Sequence, residues 1–132
     1  MKRLTALAAT LLTLAAVPLA LAAGGPGKFE TKLTGNGANT QHGMLDGTWT
    51  IDLANPTAGR VKLTWDGHVS GGGKYVISGD TITLTPKKGG QCKTKAKYTF
   101  KLTGNTLTFK PIKDTCTVRS DVLTYGPWTN IG

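Results

Sequence analysis

The chain has 132 residues, two cysteines and a formal net charge of +9 at pH 7. A chain of this length folds around one hydrophobic core, which excludes a second core of similar size. The excess of lysine and arginine permits anionic partners without requiring them.

Residues 1–22 have the pattern of a secretory signal peptide. Lys2 and Arg3 supply positive charge, the run from Leu4 to Leu21 is mostly apolar, and Ala-Leu-Ala at residues 20–22 resembles a cleavage site. The alternative is a membrane anchor, which the Ala/Gly-rich residues that follow disfavour. We therefore predict a secreted protein, periplasmic or extracellular, with no transmembrane span after signal cleavage.

Residues 23–46 contain two glycine-rich stretches, which predict a flexible N-terminal arm. Between these stretches, residues 28–34 are predicted as one short strand. From Gly47 onward, apolar and polar residues alternate, as is typical of half-buried strands. The predicted domain therefore covers residues 47–132.

Alternation in the first half of this domain predicts strands around residues 49–53, 61–65, 75–77 and 82–84. Gly79-Asp80 is a hairpin signal, and its two-residue turn would place Ile77 opposite Ile82 and Tyr75 opposite Leu84. The three glycines at residues 71–73 are predicted to be flexible or bulged.

The stretch from residue 95 to residue 111 predicts a second hairpin, because apolar residues alternate on both sides of Gly104-Asn105. Its register places Leu102 opposite Leu107 and Phe100 opposite Phe109. The same register brings the two cysteines close together.

Cys92 and Cys116 are predicted to form one disulfide, since two cysteines in an exported chain most simply pair. A redox pair or a metal site is the alternative, but the spacing is neither C-x-x-C nor a zinc pattern. Closing a loop of about 25 residues would contribute roughly 3–4 kcal/mol in the chain-entropy model.

The last part of the chain is less regular. The segment from Asp114 to Leu123 fits either a helical turn or an irregular strand, and residues 128–131 are predicted as a closing strand.

Short, evenly spaced strands joined by tight turns predict an all-β, up-and-down antiparallel β-barrel of about eight strands. Whether the N-terminal arm supplies one of the strands is open. The predicted inward side chains are Trp49, Ile51, Leu53, Val61, Leu63, Trp65, Tyr75, Ile77, Ile82, Leu84, Tyr98, Phe100, Leu102, Leu107 and Phe109.

Gly47-Thr48-Trp49 resembles the G-x-W motif of the lipocalins and the wider calycin group. An ordered series of further residues is similar to small exported bacterial lipocalin-like proteins, over about residues 44–132. The residues of this series are Gly73, Tyr75, Gly79, Asp80, Ile82, Cys92, Tyr98, Phe100, Gly104, Asn105, Leu107, Asp114, Cys116, Arg119, Leu123 and Trp128. The resemblance implies a lipocalin-like barrel closed at one end by Gly47 and Trp49, with Arg119 packed across the tryptophan ring.

An eight-stranded barrel is either filled by its own side chains or holds one small ligand. If an apolar cavity exists, four aromatic residues are predicted to line it: Trp65, Tyr75, Tyr98 and Phe100. The favoured function is accordingly non-enzymatic binding of a small apolar or amphipathic ligand.

Five lysines are predicted on the outer side of the second hairpin, and we call them the basic face. They are Lys93, Lys95, Lys97 and Lys101 on one strand and Lys110 on its partner. The basic face suits an anionic envelope surface or a polyanion. The alternative is a solvated face whose lysines discourage edge pairing. No aromatic residue shares this face, which argues against specific nucleic-acid binding. The second functional hypothesis is a filled barrel that interacts with proteins or polyanions through this face.

No catalytic residue, cofactor or metal site is predicted. His42 and His68 lack metal-ligand spacing, and no hydrolase or metalloprotease motif is present. Arg119, with Asp114 and Asp121 nearby in sequence, is either an anion ligand or a cation–π contact over Trp49, and the second is favoured. We therefore predict that the protein is not an enzyme.

Overall fold

Eight antiparallel strands form a closed barrel in the computed structural model, which describes residues 27–34, 45–53 and 57–132. Each strand pairs with its neighbours in the chain, and the first pairs with the last. The strands are β1 (Gly27–Leu33), β2 (Gly47–Leu53), β3 (Ala58–Trp65), β4 (His68–Ser78), β5 (Thr81–Pro86), β6 (Ala96–Thr103), β7 (Thr106–Lys113) and β8 (Trp128–Asn130). The predicted up-and-down barrel is confirmed. The proposed signal peptide lies outside the described residues.

The strand predicted at residues 28–34 is present as β1 and belongs to the barrel. It pairs along its whole length with β2, and Phe29 and Glu30 pair with Asn130 and Thr129 of β8. This strand supplies the eighth member of the sheet. The barrel therefore begins before Gly47, and residues 27–33 are part of it rather than of a flexible arm.

Both predicted hairpin registers are confirmed. Ile77 pairs with Ile82 in the first hairpin, and Phe100 pairs with Phe109 in the second. Gly79 and Gly104 have φ angles of 62° and 60°, and each is the first residue of its two-residue turn. A left-handed first residue matches the twist that a two-residue hairpin turn needs, so both turns depend on glycine.

Residues 71–73, predicted to be flexible or bulged, lie within the long strand β4. The pairing with β3 shifts register here: Leu63 pairs with Gly71 and Thr64 with Val69, so Ser70 of β4, directly before the glycine run, is the extra residue of a bulge. Gly73 lies so close to β5 that a Cβ atom on it would be 2.0 Å from the carbonyl oxygen of Thr85. The glycine therefore permits a close approach of two backbones.

All fifteen predicted inward side chains belong to one hydrophobic core, either buried or packed against the buried residues. Phe109 contacts Tyr98 and Trp128 edge to face, with ring centroids 6.0 and 6.4 Å apart. The core also contains buried residues outside the predicted inward set: Phe29, Leu33, Leu45, Ala96, Val122, Leu123 and Trp128.

The ambiguous segment after β7 contains helix α1 (Thr117–Thr124). Val122 and Leu123 are buried, and the indole nitrogen of Trp128 donates to the carbonyl of Leu123 at 3.1 Å. The helix thereby packs into the core between the last two strands. Within the described ranges, no helix has the length and apolarity needed to cross a bilayer.

Candidate functional site

The carboxylate of Asp114 is the centre of a polar cluster at the end of the barrel where β7 leads into α1. Arg119 donates from Nε to Oδ2 at 2.8 Å and from Nη2 to Oδ1 at 2.7 Å. The backbone N–H of Cys116 donates to Oδ1 at 2.8 Å, and the phenol of Tyr98 donates to Oδ2. The Asp114 side chain is 1% exposed and that of Arg119 is 10% exposed. Charge-assisted, two-point hydrogen bonds of this kind fix geometry strongly.

Two opposing effects set the charge of this cluster. Burial raises the pKa of Asp114, but the hydrogen bonds from Arg119, Tyr98 and the Cys116 backbone outweigh it and leave the pKa below its ordinary value. Burial, together with the adjacent Asp114 carboxylate, raises the pKa of Tyr98 well above its ordinary value. At neutral pH the cluster therefore holds a charged carboxylate and a neutral phenol, an arrangement suited to a structural role.

The predicted disulfide between Cys92 and Cys116 is confirmed. Two further contacts join the same segments: the hydroxyls of Thr94 and Thr115 are 2.8 Å apart, and Arg119 Nη2 donates to the Thr94 carbonyl at 2.9 Å. The connection from β5 to β6 is therefore held against the start of α1 at several points.

Trp49 and Arg119 have other partners than the predicted ones. The ring of Trp49 is stacked on Trp65, with centroids 5.3 Å apart and planes 7° from parallel. The guanidinium of Arg119 pairs with Asp114 instead. A full opposite charge attracts the guanidinium more strongly than an aromatic ring does, which explains the difference.

Gly47 lies directly against the Trp65 indole at this end of the barrel. Its φ is +142°, and a Cβ atom on it would be 2.4 Å from the indole nitrogen of Trp65. That nitrogen donates to the carbonyl of Asp46 at 2.9 Å, and the indole nitrogen of Trp49 donates to the carbonyl of Leu45 at 2.8 Å. The absence of a side chain at Gly47 thus lets the Trp65 indole reach the backbone.

The four predicted cavity-lining residues lie in two settings. Tyr75, Tyr98 and Phe100 are buried in the core. Trp65 is half-buried and borders an open surface depression of about 320 Å³. The other residues that line this depression are Asp66, His68, Val69 and Ser70. The structure therefore does not bring Trp65 and the other three residues together in this depression.

The histidines offer no metal centre in the described part of the chain. His68 is exposed at the start of β4, and His42 lies outside the described residues. Within residues 27–34, 45–53 and 57–132, no three His, Cys, Asp or Glu side chains are grouped closely enough to hold a metal ion.

The lysines of the basic face are all exposed, but they do not share one strand. Lys97 and Lys101 lie on the outer side of β6, whereas Lys93 and Lys95 lie in the connection before it, because β6 begins at Ala96. Lys110 lies on β7 and pairs with Thr99.

Lys113 adjoins the basic face and was not identified from the sequence. Simple alternation from Phe109 would turn its side chain inward. A register shift at Lys97/Tyr98 instead makes Lys113 the cross-strand partner of Lys97, and it is exposed. A β-bulge re-aims side chains in this way and leaves little trace in a single sequence.

Charge is distributed unevenly around the barrel. Strands β4 to β7 contain no Asp or Glu, whereas β1 contains Glu30 and β2 contains Asp52. The lysines in those four strands are Lys74, Lys97, Lys101, Lys110 and Lys113. The lysines of β4 to β7 therefore have no carboxylate on their own strands, whereas Lys28 and Lys62 each pair across the sheet with Asp52.

Comparisons of the chain with protein-family models, with curated proteins and with solved structures find no match. The eight-stranded antiparallel barrel is nevertheless consistent with a calycin-like fold. Function is therefore argued from the surface and the interior of the barrel themselves.

Proposed function

We propose that the protein is an exported, lipocalin-like barrel that binds anionic polymers or surfaces through the basic face and catalyses no reaction. The lipocalin-like assignment is supported by Gly47 and Trp49 at the start of β2 and by the consecutive order of eight strands. Export is supported by the pattern of residues 1–22 and by the disulfide.

One observation carries the proposal: Lys97 and Lys113 are direct cross-strand partners. Like charges directly opposite each other destabilise a sheet, and no carboxylate on these strands offsets the repulsion. A bound anion would offset it. Two exposed lysines at directly paired positions are well placed to contact neighbouring phosphate or sulfate groups.

The structural alternative for these lysines is a solvated face whose lysines also discourage edge pairing. Lys97 does not fit that role, because its strand is paired on both sides at this position, with Thr83 of β5 and with Lys113 of β7. Edge protection therefore does not account for a lysine at this position.

The contacts among the core aromatic residues also favour a surface function. Phe109 packs edge to face against both Tyr98 and Trp128, and the Tyr98 hydroxyl donates a hydrogen bond to Asp114. Native mass spectrometry of the purified protein tests the rival hypothesis of an internal apolar ligand. A reproducible extra mass that is lost on denaturation would support that hypothesis over ours.

Chromatography on immobilised heparin, a sulfated polymer, tests the proposal. The test variant is Lys97→Glu with Lys113→Glu. The matched control is Lys28→Glu with Lys32→Glu, which makes the same charge change at exposed positions on β1. We expect the test variant to elute at clearly lower salt than the control. Equal elution of the two variants would mean that only net charge matters, and the proposal would fail.

A further inference from the structure

Four consecutive residues at the end of β7, Lys110-Pro111-Ile112-Lys113, are all exposed. Ile112 is 53% exposed, which is unusual for a large aliphatic side chain within a strand. Two apolar residues thus stand on the surface between two lysines. We call residues 110–113 the β7 end segment.

The pairing of the strands explains this exposure. β8 pairs with β7 only at Thr106 and Leu107, so no β8 residue pairs with the β7 end segment. Pro111 lacks a backbone N–H, which is tolerated where a strand is unpaired on one side. The register shift opposite Lys97 places Ile112 and Lys113 together across from one residue, so the bulge projects them.

Further lysines lie on segments held close to the β7 end segment. Lys97 lies across the bulge from Lys113. Lys93 and Lys95 flank Thr94, which is joined to Thr115 by a hydroxyl–hydroxyl hydrogen bond of 2.8 Å. The disulfide from Cys92 to Cys116 holds the same connection in place. The apolar pair thus lies between two lysines in the chain, and further lysines lie on segments joined to the β7 end segment or to the residues just after it.

We propose that the β7 end segment docks on an anionic lipid surface. The lysines would contact lipid phosphates, and Pro111 and Ile112 would enter the interfacial layer between the headgroups. This inference rests on the proposed function and names its partner. A soluble polyanion would use the charges but would gain nothing from an exposed isoleucine, whereas a lipid interface uses both.

Vesicle co-sedimentation of the oxidised protein tests this inference, with vesicles of phosphatidylcholine alone and of phosphatidylcholine with phosphatidylglycerol. We expect binding only to the anionic vesicles, and weaker binding as salt is raised. Ile112→Ser should weaken vesicle binding by about fivefold while leaving elution from heparin unchanged. The matched control is Val69→Ser, since Val69 is 68% exposed on β4 and no lysine lies in that strand before Lys74.

Ile112→Trp gives a second, opposite readout, because a larger amphipathic side chain should strengthen vesicle binding. If Ile112→Ser and Val69→Ser bind vesicles equally well, or the unsubstituted protein does not bind anionic vesicles, the lipid inference fails. In either case, a heparin difference between the Lys97/Lys113 and Lys28/Lys32 variants would leave the proposed function standing with a soluble polyanion as partner. If those two variants also behave alike on heparin, both proposals fail.

Discussion

Arg119 and Asp114 form a two-point ion pair between the first turn of α1 and the segment that precedes it, with N–O distances of 2.8 and 2.7 Å. The same carboxylate accepts a hydrogen bond from the phenol of Tyr98 in β6. The Asp114 side chain therefore joins β6 and α1 to the loop in which Asp114 lies. A buried ion pair adds little net stability compared with apolar packing, but loss of one partner leaves a buried charge without compensation. The pair therefore makes the end of the barrel sensitive to single substitutions.

Asp114→Asn should lower the free energy of unfolding by about 3 kcal/mol, because it leaves the Arg119 guanidinium largely buried without its counter-charge. Urea unfolding followed by tryptophan fluorescence measures the change. Asp121→Asn, which removes a carboxylate within α1 itself, is the control and should change stability by less than about 0.5 kcal/mol. Equal effects of the two substitutions on the free energy of unfolding would show that the Arg119–Asp114 ion pair contributes no more to stability than the Asp121 carboxylate does.

The contribution of Asp114 should depend on pH. Its pKa is lowered in the folded protein, so the folded state binds this proton less readily than the unfolded chain. The resulting stabilisation is complete above the unfolded pKa of about 4 and is lost as the pH falls through the folded pKa. The stability difference between the unsubstituted protein and Asp114→Asn should therefore be constant from about pH 5 to pH 8 and shrink below about pH 4. A difference that grows as the pH falls would contradict this assignment.

Local rules explain which parts of the fold could be predicted. Gly79 and Gly104 start tight turns whose length sets the register, and alternation then determines which side chains face inward. Strand β1 is short and bounded by glycine-rich sequence, so its place in the barrel depends on distant pairing with β2 and β8. Helix α1 has only eight residues and little periodicity, and its packing into the core decides its conformation.

The candidate site was predictable to a smaller extent, for two physical reasons. The exposed lysines of β6 follow from alternation, but the bulge that turns Lys113 outward is a tertiary feature without a clear sequence signal. The partner of Arg119 was decided by competition between a ring and a carboxylate, and sequence alone does not give their distances. Asp114 lies only five residues earlier in the chain, so its proximity was a usable signal.

Replacement of both cysteines by alanine should lower the free energy of unfolding by roughly 3 kcal/mol, since Cys92 and Cys116 close a long loop in the unfolded chain. The folded conformation should persist, because the Thr94–Thr115 and Arg119–Thr94 hydrogen bonds join the same segments. Urea unfolding gives the stability change, and backbone NMR chemical shifts report on the conformation. Shift changes that spread beyond the two joined segments would instead mean that the disulfide is needed to maintain the native barrel.

Gly73→Ala and Gly71→Ala should have very different effects, although both residues lie in the glycine run of β4. A Cβ atom at Gly73 would be 2.0 Å from the Thr85 carbonyl oxygen and 3.0 Å from its carbon, and backbone atoms of a paired strand cannot move aside without breaking the sheet. A Cβ atom at Gly71 meets no atom within 4 Å. We expect Gly73→Ala to destabilise the fold by about 3 kcal/mol and Gly71→Ala to change it by less than about 1 kcal/mol. Thermal unfolding monitored by circular dichroism distinguishes the two, and similar midpoints would show that β4 and β5 are not held at this close spacing in solution.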